Sequence, residues 1–112
     1  MKTISWQEFE QVELRVGTII EVSDFPQARR PAYKLTIDFG DEIGVKKSSA
    51  QITDFYQKDD LLDKQVVAVI NFPKKQIGPC MSECLVTGFH RSDGAVVLVS
   101  PEARVPKGAK LS

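Results

Sequence analysis

The chain has a single histidine, two cysteines, one tryptophan and no surplus of charge, its 15 basic side chains balancing 15 acidic ones over 112 residues. Each shortage removes a class of function. Nucleophilic hydrolysis of the Ser-His-Asp or Cys-His kind needs an imidazole beside its nucleophile, and His90 stands alone at a strand end next to Arg91 and a turn. It reads as a surface residue, with a general-base role the lesser alternative. Two cysteines make no disulfide framework of the secreted type, which fits a reducing compartment. The even spacing of Cys80, Cys84 and His90 would put all three on one face of a strand. Yet four strand residues span about 13 Å, whereas thiolates sharing one zinc ion lie within about 4 Å. Free thiols are expected, and no metal. Neither a GxxxxGK[ST] nor a GxGxxG sequence is present to cradle phosphates. No stretch reaches the roughly 18 to 20 apolar residues that span a bilayer, and Met1-Lys2-Thr3-Ile4 opens no apolar run of the signal-peptide kind. The expectation is a cytoplasmic, non-catalytic binding protein with no cofactor and no membrane insertion.

Balanced charge provides no global field towards a polyanion, so any charged site must be local. Arg29, Arg30 and Lys34 cluster, as do Lys46-Lys47 and Lys74-Lys75, while Asp54, Asp59, Asp60 and Asp63 gather elsewhere. Any one such pair also reads as a solvated surface.

Ser5-Trp6-Gln7-Glu8 fits a capping box, which predicts a short helix ending near Gln11. From Leu14 the period changes to two, with Leu14, Val16, Thr18, Ile20 and Val22 on one face of a long strand and Gly17 marking a bulge or bend. Two prolines make Phe25 to Pro31 a loop. Tyr33 to Phe39 alternates as a second strand, and Ile43 to Ala50 is a weaker third with a polar centre. Ile52, Phe55, Tyr56, Leu61 and Leu62 have helical spacing, interrupted at Lys58-Asp59-Asp60. The run Val66 to Ile70 within Gln65 to Phe72 predicts a central strand buried on both sides. Pro73 to Pro79 reads as a loop, followed by strands over Met81 to Phe89 and Ala95 to Ser100 joined by a turn at Ser92-Asp93-Gly94. The fold class is therefore all-β: a five-stranded OB-fold barrel with a short N-terminal helix and a helical segment between strands 3 and 4, one domain over residues 1–112.

Three stretches together carry a resemblance: Leu14-Arg15-Val16-Gly17, Asn71-Phe72-Pro73-Lys74-Lys75-Gln76-Ile77-Gly78 and Met81-Ser82-Glu83. They resemble the tRNA-binding OB module appended to methionyl- and tyrosyl-tRNA synthetases and to the endothelial-monocyte-activating polypeptide. Longer strings, from Arg30 to Gly40, Lys47 to Thr53 and Met81 to Phe89, resemble the bacterial CsaA-type proteins. The wider family often has a basic residue before the loop glycine, where Ile77 stands here, and Arg29 and Arg30 offer cations nearby.

The resemblance implies a homodimer, a protein-export chaperone that holds unfolded or precursor polypeptides, the export machinery as a further partner, and a tRNA-binding surface. For RNA, Arg15, Arg29, Arg30, Lys34, Lys46, Lys47, Lys74 and Lys75 would neutralise phosphates while Asn71 and Ser82 supply neutral hydrogen bonds. Turn chemistry is an equal reading of Asn71 and Ser82, and pairing with a carboxylate an alternative for Arg15. For polypeptide, Phe72, Ile77, Pro79 and Met81 are the candidates, with dimer interface or core as the alternative. A tRNA-binding or synthetase-associated docking module without clients is the remaining possibility.

Overall fold

The computed structural model describes all 112 residues. At the N-terminus Ser5 Oγ accepts the Glu8 N–H at 3.1 Å and the Glu8 carboxylate accepts the Ser5 N–H at 2.9 Å, the reciprocal capping predicted from the sequence. The helix it starts, α1 (Trp6–Glu10), buries none of its residues. There follow β1 (Leu14–Asp24), β2 (Tyr33–Asp38), β3 (Val45–Ala50), α2 (Lys58–Leu61), β4 (Gln65–Val69), β5 (Lys75–Ile77), β6 (Cys80–Ser82), β7 (Leu85–Val86), β8 (Gly88–His90) and β9 (Val96–Leu98). Five strands form one antiparallel sheet in the order β3-β2-β1-β4-β7, curled into a nearly closed OB-type barrel, and β5-β6 and β8-β9 add two hairpins.

The bulge in β1 lies at Ile20 and not at Gly17. Ile19 pairs with Ile37, but Glu21 already pairs with Thr36, so Ile20 is the extra residue. An extra residue inverts the inside-outside alternation. Ile19 is wholly buried, Ile20 is exposed, and Val22 packs on the core, so the single apolar face read from Leu14 to Val22 is really two half-faces. Gly17 serves a different purpose: a Cβ there would sit 2.5 Å from Ile37 Cγ2 and 2.7 Å from the Phe39 ring. Its missing side chain is the space those two residues fill.

Two further expectations are corrected. The residues read as interrupting the helical segment, Lys58-Asp59-Asp60, are themselves helical in α2, because the Gln57 N–H donates to the Asp60 carboxylate at 2.8 Å and caps the turn. The supposed loop from Pro73 to Pro79 holds β5, and the strand expected over Met81 to Phe89 is broken into β6, β7 and β8. Gly78, at φ +55°, turns the chain tightly enough for two three-residue strands to pair across it.

Ile19, Leu35, Ile37, Phe39, Val66 and Ala68 fill the barrel with Ile52, Tyr56 and Leu61 from the connecting segment. Each such side chain contributes about 1.5–3 kcal/mol on burial. The Tyr56 hydroxyl accepts the Leu98 N–H at 3.0 Å, tying β9 to that segment. Every residue of β4 is buried, as its apolar run predicts. The reason is a second layer: the C-terminal tail bonds back to β1 through Gly108 N–H to Val16 O at 2.7 Å and Leu111 N–H to Leu14 O at 2.9 Å, covering Leu14, Val16 and Val67.

Candidate functional site

Loop 25–32 and hairpin β5-β6 are joined by a small apolar cluster of Phe25, Ala32 and Cys80, with Ala28 and Ile77 against it. The joint packs the loop that carries the exposed Arg29 and Arg30 onto the hairpin that carries Lys75. Lys34 Nζ lies 5.6 Å above the Phe25 ring, a cation–π contact that keeps its charge beside the same joint.

Between β3 and the hairpin runs a groove of about 430 Å³, lined by Ser48, Ser49, Phe72, Lys75, Ile77 and Leu85 among others. It exists because the centre of β3 carries serines, too small to fill the space between them and Phe72 and Leu85. Phe72 and Leu85 are more than half exposed. The exposed Lys47 and Lys74 and the half-buried Lys46 belong to the same strand and hairpin approach. The groove thus combines an apolar floor with a basic rim, and it mixes residues expected to meet RNA, Lys75 and Ser82, with residues expected to meet polypeptide, Phe72 and Ile77.

Glu83 closes the barrel at one end of this groove. Its N–H donates to Lys47 O at 2.7 Å, its carboxylate accepts the Lys47 N–H at 2.9 Å, and Lys74 Nζ lies 3.5 Å away. The Lys47 N–H, more than the Lys74 charge, holds the Glu83 carboxyl below its ordinary value. Ser48 Oγ adds a bond to Cys84 O at 3.0 Å.

Other expected residues lie elsewhere. Arg15 donates to the Glu13 carboxylate at 2.7 Å and to Gly108 O at 2.9 Å, the carboxylate pairing weighed for it from the sequence. Asn71 accepts the Glu13 N–H at 3.0 Å and donates to Gln11 O at 2.7 Å, latching the link after α1 to the end of β4. Ser82 lines the groove while its hydroxyl donates to Cys84 O at 3.3 Å. Pro79 and Met81 are exposed on the hairpin, outside the groove lining. The two thiols are free and buried in different clusters, Cys80 in the joint and Cys84 in the main core, where burial pushes the Cys84 thiol up to about 11.

A second groove of about 620 Å³ adjoins the first, sharing Ser49 and Leu85 with it. Arg30, Gln51, Asp54, Val86 and the exposed His90 also border it. Sequence reading missed Ser49, Gln51, Leu85 and Val86. The one available signal was the pair of small polar residues, Ser48-Ser49, inside a strand of a barrel otherwise built from large side chains.

The chain matches the family described as "Putative tRNA binding domain" across residues 14–110. Its fold superposes on the CsaA chaperone protein of Picrophilus torridus with a TM-score of 0.90 and 51% identity, covering 98% of this chain and 100% of that one. The CsaA chaperone of Bacillus anthracis str. Ames gives 0.92 and 44%, covering 99% and 100%. A methionine–tRNA ligase of Thermococcus kodakarensis is 35% identical over 112 residues, 99% of this chain but 14% of the ligase.

Proposed function

The chain belongs to the tRNA-binding domain family, and on that premise we propose that it is a non-catalytic chaperone of the CsaA type, holding unfolded or precursor polypeptides and binding tRNA as a second ligand. The observation that carries the reading is the groove between β3 and the β5-β6 hairpin. Its apolar floor of Phe72, Ile77 and Leu85 suits apolar side chains of varied shape. Lys75 in its lining, with Lys46, Lys47 and Lys74 on the adjoining strand and hairpin approach and Arg29 and Lys34 on the neighbouring loop and strand, suits phosphates. The 51% identity to a CsaA chaperone supports the first ligand and the family match the second. A homodimer fits the uncovered apolar side chains Ile4, Trp6, Val12 and Leu111 around α1 and the tail, where a second copy would bury them. A cytoplasmic site of action with the export machinery as partner belongs to the same proposal. The methionine–tRNA ligase likeness favours a second reading, a docking module for tRNA without clients.

Titrating labelled tRNA and an unfolded presecretory peptide over a salt series separates the two. The expected result is tRNA binding that weakens steeply with salt and peptide binding that hardly responds. In Lys74→Ala/Lys75→Ala the slope of log affinity against log salt should shrink by about 0.7–0.9 per lysine removed. Absence of peptide binding would sink the chaperone reading and leave the docking module, and a sizing-column mass of one chain would contradict the dimer.

A further inference from the structure

From the pattern of unpaired backbone groups along the barrel seam we infer that the second groove is a strand-addition slot, in which an extended polypeptide segment pairs with the free edge of β3. The inference rests on the polypeptide-binding reading above and specifies how the chain is held.

The geometry follows from the ladders. The Phe39 N–H donates to Gly44 O at 3.0 Å, which fixes the alternation between β2 and β3: Ile37 with Lys46, Leu35 with Ser48 and Tyr33 with Ala50 exchange bonds. Val45, Lys47 and Ser49 therefore turn their N–H and C=O groups away from β2. Glu83 satisfies both groups of Lys47 and stitches the seam shut there. Two residues further on, the Ser49 N–H meets no partner and its C=O takes only the neighbouring Ser48 hydroxyl at 3.2 Å. The opposite wall repeats the pattern. The Thr87 N–H donates to Val67 O at 3.0 Å, so Val86 turns its N–H and C=O away from β4, and they too are unpartnered. Ser49 and Val86 both border the second groove.

Unpaired strand edges are templates for another chain, and here they lie where the barrel is open. The rim favours a polypeptide over RNA as occupant. Arg30 and Asp54 cancel on its border, whereas the neighbouring groove carries Lys75 with no acidic side chain in its lining, so this groove offers a polyanion the weaker field. Main-chain pairing is also indifferent to side-chain identity, which is what holding varied clients requires. Alternate side chains of a strand seated here would pass over Leu85, the residue shared with the apolar groove.

Two measurements test the slot. Ser49→Pro removes the outward N–H while leaving the β2–β3 bonds in place, a substitution tolerated at a free strand edge. It should weaken peptide binding at least about tenfold, close to one lost hydrogen bond plus the acceptor it strands, with the circular dichroism spectrum unchanged. Independently of any variant, peptides N-methylated at alternate residues should bind the unaltered protein about tenfold more weakly in one register and normally in the other. If the unmodified peptide binds but neither change matters, the slot is wrong and the polypeptide reading survives. If the unmodified peptide does not bind at all, both fall.

Discussion

The two flanks of the barrel handle polar groups in opposite ways. On the tail side, Glu13 receives Arg15 at 2.7 Å and Lys110 at 2.8 Å, Lys107 lies 2.7 Å from Asp38, and Gln65 both accepts from and donates to the backbone of Val105. Each of these charged groups has a partner from a distant part of the chain, Arg15 through Gly108 O. On the seam side, Arg29, Arg30, Lys46, Lys47 and Lys75 form no ion pair, and the backbone of Ser49 and Val86 is left open. Arg15 and Lys75 look alike in a sequence. What separates them is compensation: a half-buried cation held by a carboxylate at 2.7 Å, as Arg15 is, is scaffold, and an exposed one held loosely, as Lys74 is at 3.5 Å, or not at all is available to a ligand.

The largest effect that would probe this contrast is on the barrel itself. Gly17→Val pushes a branched side chain into Ile37 and Phe39 and should cost about 3 kcal/mol, read as a lowered urea midpoint. A variant as stable as the parent would show that the core can yield there. Next, Asn71→Ala strips two backbone groups of their partner and should cost about 1 kcal/mol while leaving the salt slope of tRNA binding alone. Lys75→Ala should do the reverse, changing stability by less than about 0.5 kcal/mol while the slope shrinks. A slope altered by Asn71→Ala at unchanged stability would put Asn71 in the binding surface and erase the distinction.

The smallest effect is in acid. The Glu13 carboxyl is held below its ordinary 4.5 chiefly by the Lys110 hydrogen bond and then by Arg15. Asp38 is held below 3.8 chiefly by Lys107 and then by the Gly40 N–H. Because these values are lowered on folding, their stabilisation is complete above the ordinary carboxylate range and disappears as pH falls through the folded-state values, below about pH 4. Hydrogen exchange at Gly108 and Leu111 should accelerate there before the core amides do. Simultaneous loss would mean that the tail has no separate stability.

The strands with strict alternation or an unbroken apolar run, β2 and β4, were legible in the sequence, as was the capping box at Ser5, since their causes are local. Ile20 was not, because a bulge depends on how β1 meets β2, and Gly17 drew attention for a property it does not use. Hairpin β5-β6 was hidden by Pro73 just before it and Pro79 in its turn. Among site residues, the hairpin cations and Phe72 could be named from their positions in a loop. The engagement of Asn71 with Gln11 and of Arg15 with Gly108 joins residues 60 and 93 positions apart, which no local pattern records.

The return of the tail to β1 also fixes when the molecule can finish folding. Val16 exchanges bonds with Gly108 and Ala109, and Leu14 O accepts the Leu111 N–H, so the opening half of β1 lacks one edge partner until nearly the whole domain has been synthesised. Gly108, at φ +86° and with Phe39 O only 2.6 Å from where a Cβ would stand, is the residue on which that late docking turns. Contacts of such long sequence separation slow folding. A ribosome-bound chain stalled before Gly108 would therefore display Leu14, Val16 and Val67 uncovered, an apolar strip that only the last residues of the domain can close.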